Sequence, residues 1–445
     1  MKKLISLCLV FVILLSGCAH ECSEAEYTPL ATAVYPQELQ YPLEQNYADY
    51  NEFSNAYSLW YDAKRQKNTL EVTDDGISDY VKNTLSVLAK DSGKNLVYSP
   101  ANVYFALAML AECTNGQTQA EILKVLGYDN VESLRKNTSN LWQKMYADNG
   151  VYSSILANSI WLKDGVNYNK DTLDTLKDSY FASAYSGDFT NEGYANAVRD
   201  WINKNTKDLL KNQSKDIKFN GETVAALIST IYFNAKWNDK FNKDLTEKGK
   251  FYGKDGTVTA DFMKSSHSQV YYYGDGYSAT TLHFDEQGSM HFILPDKDFS
   301  VYDIISNDAV LDIITNRAAR YEYKGKANKA YPIVNLSVPR FDIANDIDLK
   351  DAFNSLGIKT AFDDKSADFS PLTTDIPLFL SKVQHAARVK IDEEGCEAAA
   401  YTVMLKDAGS APPDSVVDMV LDRPFIFAVS GSDGLPRFIG IVNNI

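Results

Sequence analysis

Histidine and cysteine are scarce in this 445-residue chain, with five of each. His20, His267, His283, His291 and His385 form no cluster, and none lies in an HExxH pair, so the usual helical zinc site is missing. No GxSxG elbow, glycine-rich phosphate loop or paired CxxC occurs. Nothing therefore points to a hydrolase or a bound cofactor, and neither catalysis nor a metal is expected. Positive charge is also short: 44 Lys and Arg against 59 Asp and Glu give a net charge of −15. That balance argues against nucleic acid and against adsorption on acidic lipid. Hydrophobic residues, by contrast, make up 45% of the chain, enough for a large core.

The N-terminus reads as a targeting segment. Lys2-Lys3 is followed by the apolar run Leu4–Leu15, too short to span a bilayer, and then by Leu15-Ser16-Gly17-Cys18. The last four residues resemble a bacterial lipobox. Residues 1–17 are then a signal peptide, and Cys18 is the lipidated N-terminus of an envelope lipoprotein. The acidic Glu21, Glu24 and Glu26 that follow suggest onward export to the cell surface. Cleavage removes Lys2, Lys3 and Cys8, making the mature chain more acidic and leaving Cys22, Cys113 and Cys396 besides the anchor. An odd number gives no disulfide framework. Cys113, at the end of an apolar run, is expected to be a buried small hydrophobe.

Residues 18–73 lack a sustained period and read as a tether, although Phe53, Tyr57, Trp60 and Tyr61 recur at helical spacing, which leaves room for docking on the domain. From residue 74 to 445 the pattern is that of one globular domain. Ile77, Val81, Leu85 and Leu88 mark an amphipathic helix, and Val103–Glu112 is apolar on nearly every face, as a buried helix would be. Ile155–Leu162, Val224–Phe233, Ala279–Leu282 and His291–Leu294 read as strands. Helices first and strands later, without regular alternation, predict an α+β fold with a large mixed or antiparallel sheet.

One segment reads two ways. Glu393-Glu394-Gly395-Cys396-Glu397-Ala398-Ala399-Ala400-Tyr401-Thr402 has the composition of a short helix. Taken with period two, Cys396, Ala398, Ala400 and Thr402 line up as one small face. A loop able to place such a face in a sheet suits a conformational switch. The segment resembles the reactive-loop hinge of the serpins, protease inhibitors that trap their targets by inserting that loop. Four further blocks follow the family's order: Asn95–Pro100 with Ala106–Leu110 and Gly116–Thr118; Thr223–Trp237 with Phe241; Val338–Ile343 with Leu356-Gly357-Ile358; and Arg423-Pro424-Phe425 with Phe438–Val442.

The resemblance implies three sheets, about nine helices and an exposed reactive-centre loop near 393–413. It implies an irreversible suicide-substrate inhibitor of serine, and also cysteine, endopeptidases. Counting as in the family, the reactive bond is Gly409–Ser410, with Lys406 as an alternative site. The stretch from Glu393 to Gly409 spans about 56 Å when extended. Glu393, Gly395, Cys396, Ala398, Ala399, Ala400 and Thr402 form the hinge, in which Gly395 is expected to serve a turn. Ser99, Asn102, Ser229 and His385 match the family's shutter, with His385 expected to bond across the strands, and Trp237 matches the aromatic at the top of the gap. A glycine before the reactive bond favours elastase-, subtilisin- or papain-like targets. A monomer is expected, with the lipid anchor as its contact with the membrane. The competing reading is a non-inhibitory member acting as a binding module.

Overall fold

The computed structural model describes residues 27–73, 76–90, 92–215, 217–219, 221, 223–285, 288–319, 325–381, 383–396, 415–431 and 435–445. Three sheets carry the architecture. The large one contains β1 (Thr28–Ala31), β3 (Ala147–Asp148), β4 (Tyr152–Lys163), β5 (Ala182–Gly187), β6 (Ala225–Lys236), β14 (Phe341–Asp348), β15 (Gln384–Ile391) and β16 (Gly395–Cys396), in the order β1-β5-β4-β6-β16-β15-β14 with β3 on β4. A seven-stranded sheet holds β2 (Leu96–Tyr98), β9 (Tyr271–Gly274), β10 (Tyr277–His283), β11 (Ser289–Pro295), β12 (Asn328–Ala330), β18 (Phe425–Ser430) and β19 (Phe438–Val442). The third comprises β7 (Glu247–Gly253), β8 (Gly256–Ser268), β13 (Ile333–Pro339) and β17 (Val416–Val420).

Eleven α-helices occur among the described residues, against the nine or so expected. The central one, α3 (Pro100–Glu112), begins where Ser99 Oγ accepts from the Asn102 amide at 3.1 Å and Pro100 supplies a preset φ at the first helical position. Its apolar residues are buried on nearly every side, so it fills the space between the large sheet and β19. Cys113 caps it and is buried.

The stretch read as a tether is, from Tyr27 onward, part of the domain. β1 adds a strand to the edge of the large sheet, pairing Thr28 with Ser186 and Ala31 with Ala184. Tyr27 packs edge-on against Trp161 and Tyr185 at 5.8 and 5.3 Å. The chain then crosses to the Asn149 carbonyl, which accepts from the Tyr41 amide at 2.8 Å. A helix, α1 (Tyr50–Asn68), capped by Asp49, lies on α5 (Val131–Met145) and buries Trp60. The aromatic spacing in this stretch therefore marks a docked helix, and the segment is held by backbone pairing and aromatic packing together.

Candidate functional site: a gap in the large sheet

β6 pairs along its whole length with β4, Tyr152 opposite Ala235 and Leu162 opposite Ala225. Its other edge is paired, among the described residues, only through Gly395 opposite Lys236 and Cys396 opposite Ala235. β15 meets the same two-residue strand at Ile391. Below that bridge β6 and β15 face each other without a ladder. Ala225–Ile228 is accordingly only half-buried although apolar, as is Ser229 next to it, while Thr230–Phe233 above is buried. The opposite wall, β15, begins only at Gln384, and Phe379 before it is 49% exposed.

The two-residue bridge is held from above by a turn. Asp392 Oδ1 accepts from the Glu394 amide at 2.9 Å, and the Asp392 amide donates to the Gly395 carbonyl at 3.0 Å. Trp237 fixes the turn from the β6 side: its indole donates to the Asp392 carbonyl at 2.9 Å and its amide to the Glu394 carbonyl at 3.0 Å. The ring stacks on Phe284 at 4.8 Å. Gly395 does not have a left-handed φ, so the turn expected of it is not its task. A Cβ there would lie 2.1 Å from the Ala235 carbonyl oxygen. Glycine is required because two backbones approach closely.

Two carboxylates pin the turn. Glu393 is 2% exposed and binds Arg340 Nε at 2.9 and 3.0 Å and Thr246 Oγ1 at 2.6 Å. Burial pushes its pKa up, but the Arg340 and Thr246 hydrogen bonds outweigh this and hold it below the usual glutamate value. Glu394 pairs with Lys240 at 2.8 Å and Lys243 at 2.9 Å, which bring its pKa down to about 2. Arg340 lay in a block singled out by sequence, but its role did not. Lys240 and Lys243 gave no signal beyond lying just past Trp237.

Deeper in the gap, Ser99, Asn102, Ser229 and His385 come to one region beneath the sheet. Among the described residues, His385 bonds to the start of α3 rather than across the strands as expected. Its Nε2 accepts from the Ser99 amide at 3.0 Å, joining β15 to the start of α3. This acceptor role leaves the imidazole neutral, and burial brings its pKa down to about 4. Asn158, directly opposite Ser229, donates to the Tyr180 carbonyl at 2.7 Å. Four buried polar atoms here, Asn102 Oδ1, Ser154 Oγ, Asn158 Oδ1 and Ser229 Oγ, have no hydrogen-bond partner among the described residues. Such groups are uncommon in a settled core.

On the outer face, α7 (Glu192–Asn205) covers the opening. Tyr194, Val198 and Ile202 pack with Trp161, Phe189 and Leu210, and Ala226 and Ile228 of β6 and Ala386 of β15 join this cluster from both sides of the gap. The helix escaped the sequence reading, although Asn191 as cap and the 194, 198, 202 spacing announce it. Ala398, Ala399, Ala400, Thr402, Gly409, Ser410 and Cys18 lie outside the described residues.

Among the described residues, the large sheet is thus bridged between β6 and β15 only by Gly395 and Cys396. Residues 76–445 match the family model described as Serpin (serine protease inhibitor). The chain belongs to the serpin family. It is 27% identical over 385 residues to Serpin-ZX of Arabidopsis thaliana, covering 81% of this chain and 94% of that protein. The native state of the thermophilic serpin tengpin superposes with a TM-score of 0.74 at 26% identity, covering 84% of this chain and 95% of tengpin. Thyroxine-binding globulin in complex with thyroxine shares the fold, with a TM-score of 0.70 at 23% identity and coverage of 83% and 98%.

Proposed function

We propose that this chain is an irreversible inhibitor of serine endopeptidases, and of cysteine endopeptidases by the same acyl chemistry, carried on the cell envelope by a lipid on Cys18. The target's nucleophile attacks the Gly409 carbonyl carbon. The Gly409–Ser410 bond breaks, the Ser410 amine leaves with a proton, and Gly409 remains as an acyl ester or thioester. The freed segment enters the gap and draws the attached protease with it before water can release it.

The observation that carries this reading is the register of Gly395 and Cys396. Each residue further along the hinge meets one residue earlier on β6 and on β15. Continued without a slip, Ala398 falls between Phe233 and Val389, and Thr402 between Ser229 and His385. The small face then points into the core, where bulk would overpack, and a hydroxyl arrives beside the orphaned Ser229 Oγ. Each backbone bond gained along both edges is worth about 1 kcal/mol, which favours insertion strongly over some ten residues.

The likeness to thyroxine-binding globulin keeps a binding role as the second reading. A panel of elastase-, subtilisin-, papain- and trypsin-like proteases separates the two. Inhibition predicts an SDS-resistant product and a released peptide starting at Ser410. A peptide starting at Asp407 would move the bond to Lys406, and no covalent product with any protease would favour the binding reading.

A further inference from the structure

β1 fixes where the chain enters the fold. Thr28 is level with Ser186, Ser186 with Leu162, and Leu162 with Ala225, the lower end of β6. Gly395 sits at the other end, opposite Lys236. Eleven residues of strand, ~36 Å, therefore separate the entry level from the hinge. The chain climbs from β1 toward the hinge end, where Tyr41 meets Asn149, so Tyr27, where the described chain begins, sits at the opposite pole. Its packing on Trp161 and Tyr185 holds Tyr27 in place.

We infer that, in the chain attached to a bilayer through Cys18, the hinge pole faces outward and capture carries the protease onto the lipid surface. This rests on the inhibitory reading above. In the register of β16, Lys406 comes to the level of Ala225, and Gly409 lies three residues beyond it. An acyl-protease is thus delivered to the pole where Tyr27 sits. The inserted strand and β1 are separated by β6, β4 and β5, four spacings or ~19 Å. Cys18 precedes Thr28 by ten residues, a reach of at most ~35 Å. A protease of about 225 residues is about 45 Å across by the compactness of folded domains. The tether is shorter than the cargo, so the trapped protease is pressed against the bilayer.

The test uses the mature chain from Cys18 with Cys22→Ser. Since Cys113 and Cys396 are buried, coupling to a maleimide lipid in liposomes goes through Cys18. The liposomes contain an acceptor-labelled lipid, and the protease identified in the panel carries a donor. Its inert active-site variant, bound only at the loop, should show background energy transfer, and active protease a clear gain as the covalent band forms. A covalent band with transfer no higher than that of the inert protease overturns this inference and leaves the inhibitor intact. Loop cleavage without a covalent band overturns both.

Discussion

Arg340 closes on Glu393 at the point where β15 turns into the hinge, and the two members of the pair differ in exposure, 43% for the arginine side chain against 2% for the glutamate. The pair joins the start of β14 to the turn above the gap. It anchors the residues immediately before Gly395 and Cys396.

The asymmetry of exposure predicts unequal effects of substitution. Arg340→Ala strands a buried carboxylate and should cost about 2–3 kcal/mol, less than the loss of a fully buried pair because Arg340 is part-exposed. Glu393→Gln keeps an acceptor for Arg340 and Thr246 and should cost about 1 kcal/mol. Thermal unfolding of both variants checks this, with Arg340→Ala expected to show the lower Tm.

Gly395→Ala should drive the hinge out of the top of the sheet, since a methyl group 2.1 Å from the Ala235 oxygen cannot be accommodated. The readout is Cys396, 3% exposed in the native chain. Its thiol should react faster with a disulfide reagent in the variant, while Cys113 stays protected.

On the inhibitory reading, Thr402→Arg should convert inhibition into substrate turnover. In the register of β16 the new side chain would enter the core between Ser229 and His385, where an unpaired charge opposes insertion. The stoichiometry of inhibition should rise well above one, with cleaved monomer replacing covalent complex on gels. An unchanged stoichiometry would mean that the loop enters on the other face or in another register.

Acidification should weaken the native state through His385. Its pKa is about 4 in the fold against an ordinary 6.5. Between these values the unfolded chain binds a proton that the native chain refuses, so this contribution is present above pH 6.5 and is lost as pH falls toward 4. At 1.36 kcal/mol per unit the loss is about 3 kcal/mol. His385→Gln keeps an acceptor for the Ser99 amide and removes the titration. Urea midpoints of both chains from pH 7 to 4 should converge as pH falls.

Local pattern made much of this readable. The apolar run that becomes β6, the buried helix α3, the alternation of small residues after Gly395 and the aromatic Trp237 all declare themselves within a few positions. What stayed hidden depends on distant partners. Arg340 lies 53 residues from Glu393, and a charged residue near a strand end reads as solvated until its partner is placed. β1 escaped because four residues with an exposed face carry almost no periodic signal, and their pairing with β5 spans more than 150 positions. Gly395 was noticed but given the wrong task, since only the opposing backbone shows how little room there is.

The turn from Asp392 to Glu394 has a kinetic consequence. Its bonds to Trp237, Arg340, Thr246 and the lysines make it the fixed point from which the proposed insertion would start. Growth of the proposed strand would then have a single nucleus and one direction, like a zip fastener closed from a fixed stop. Obstacles should matter by rank: a bulky residue just past Cys396 arrests all later pairing, whereas the same residue near Lys406 forfeits only the final few rungs.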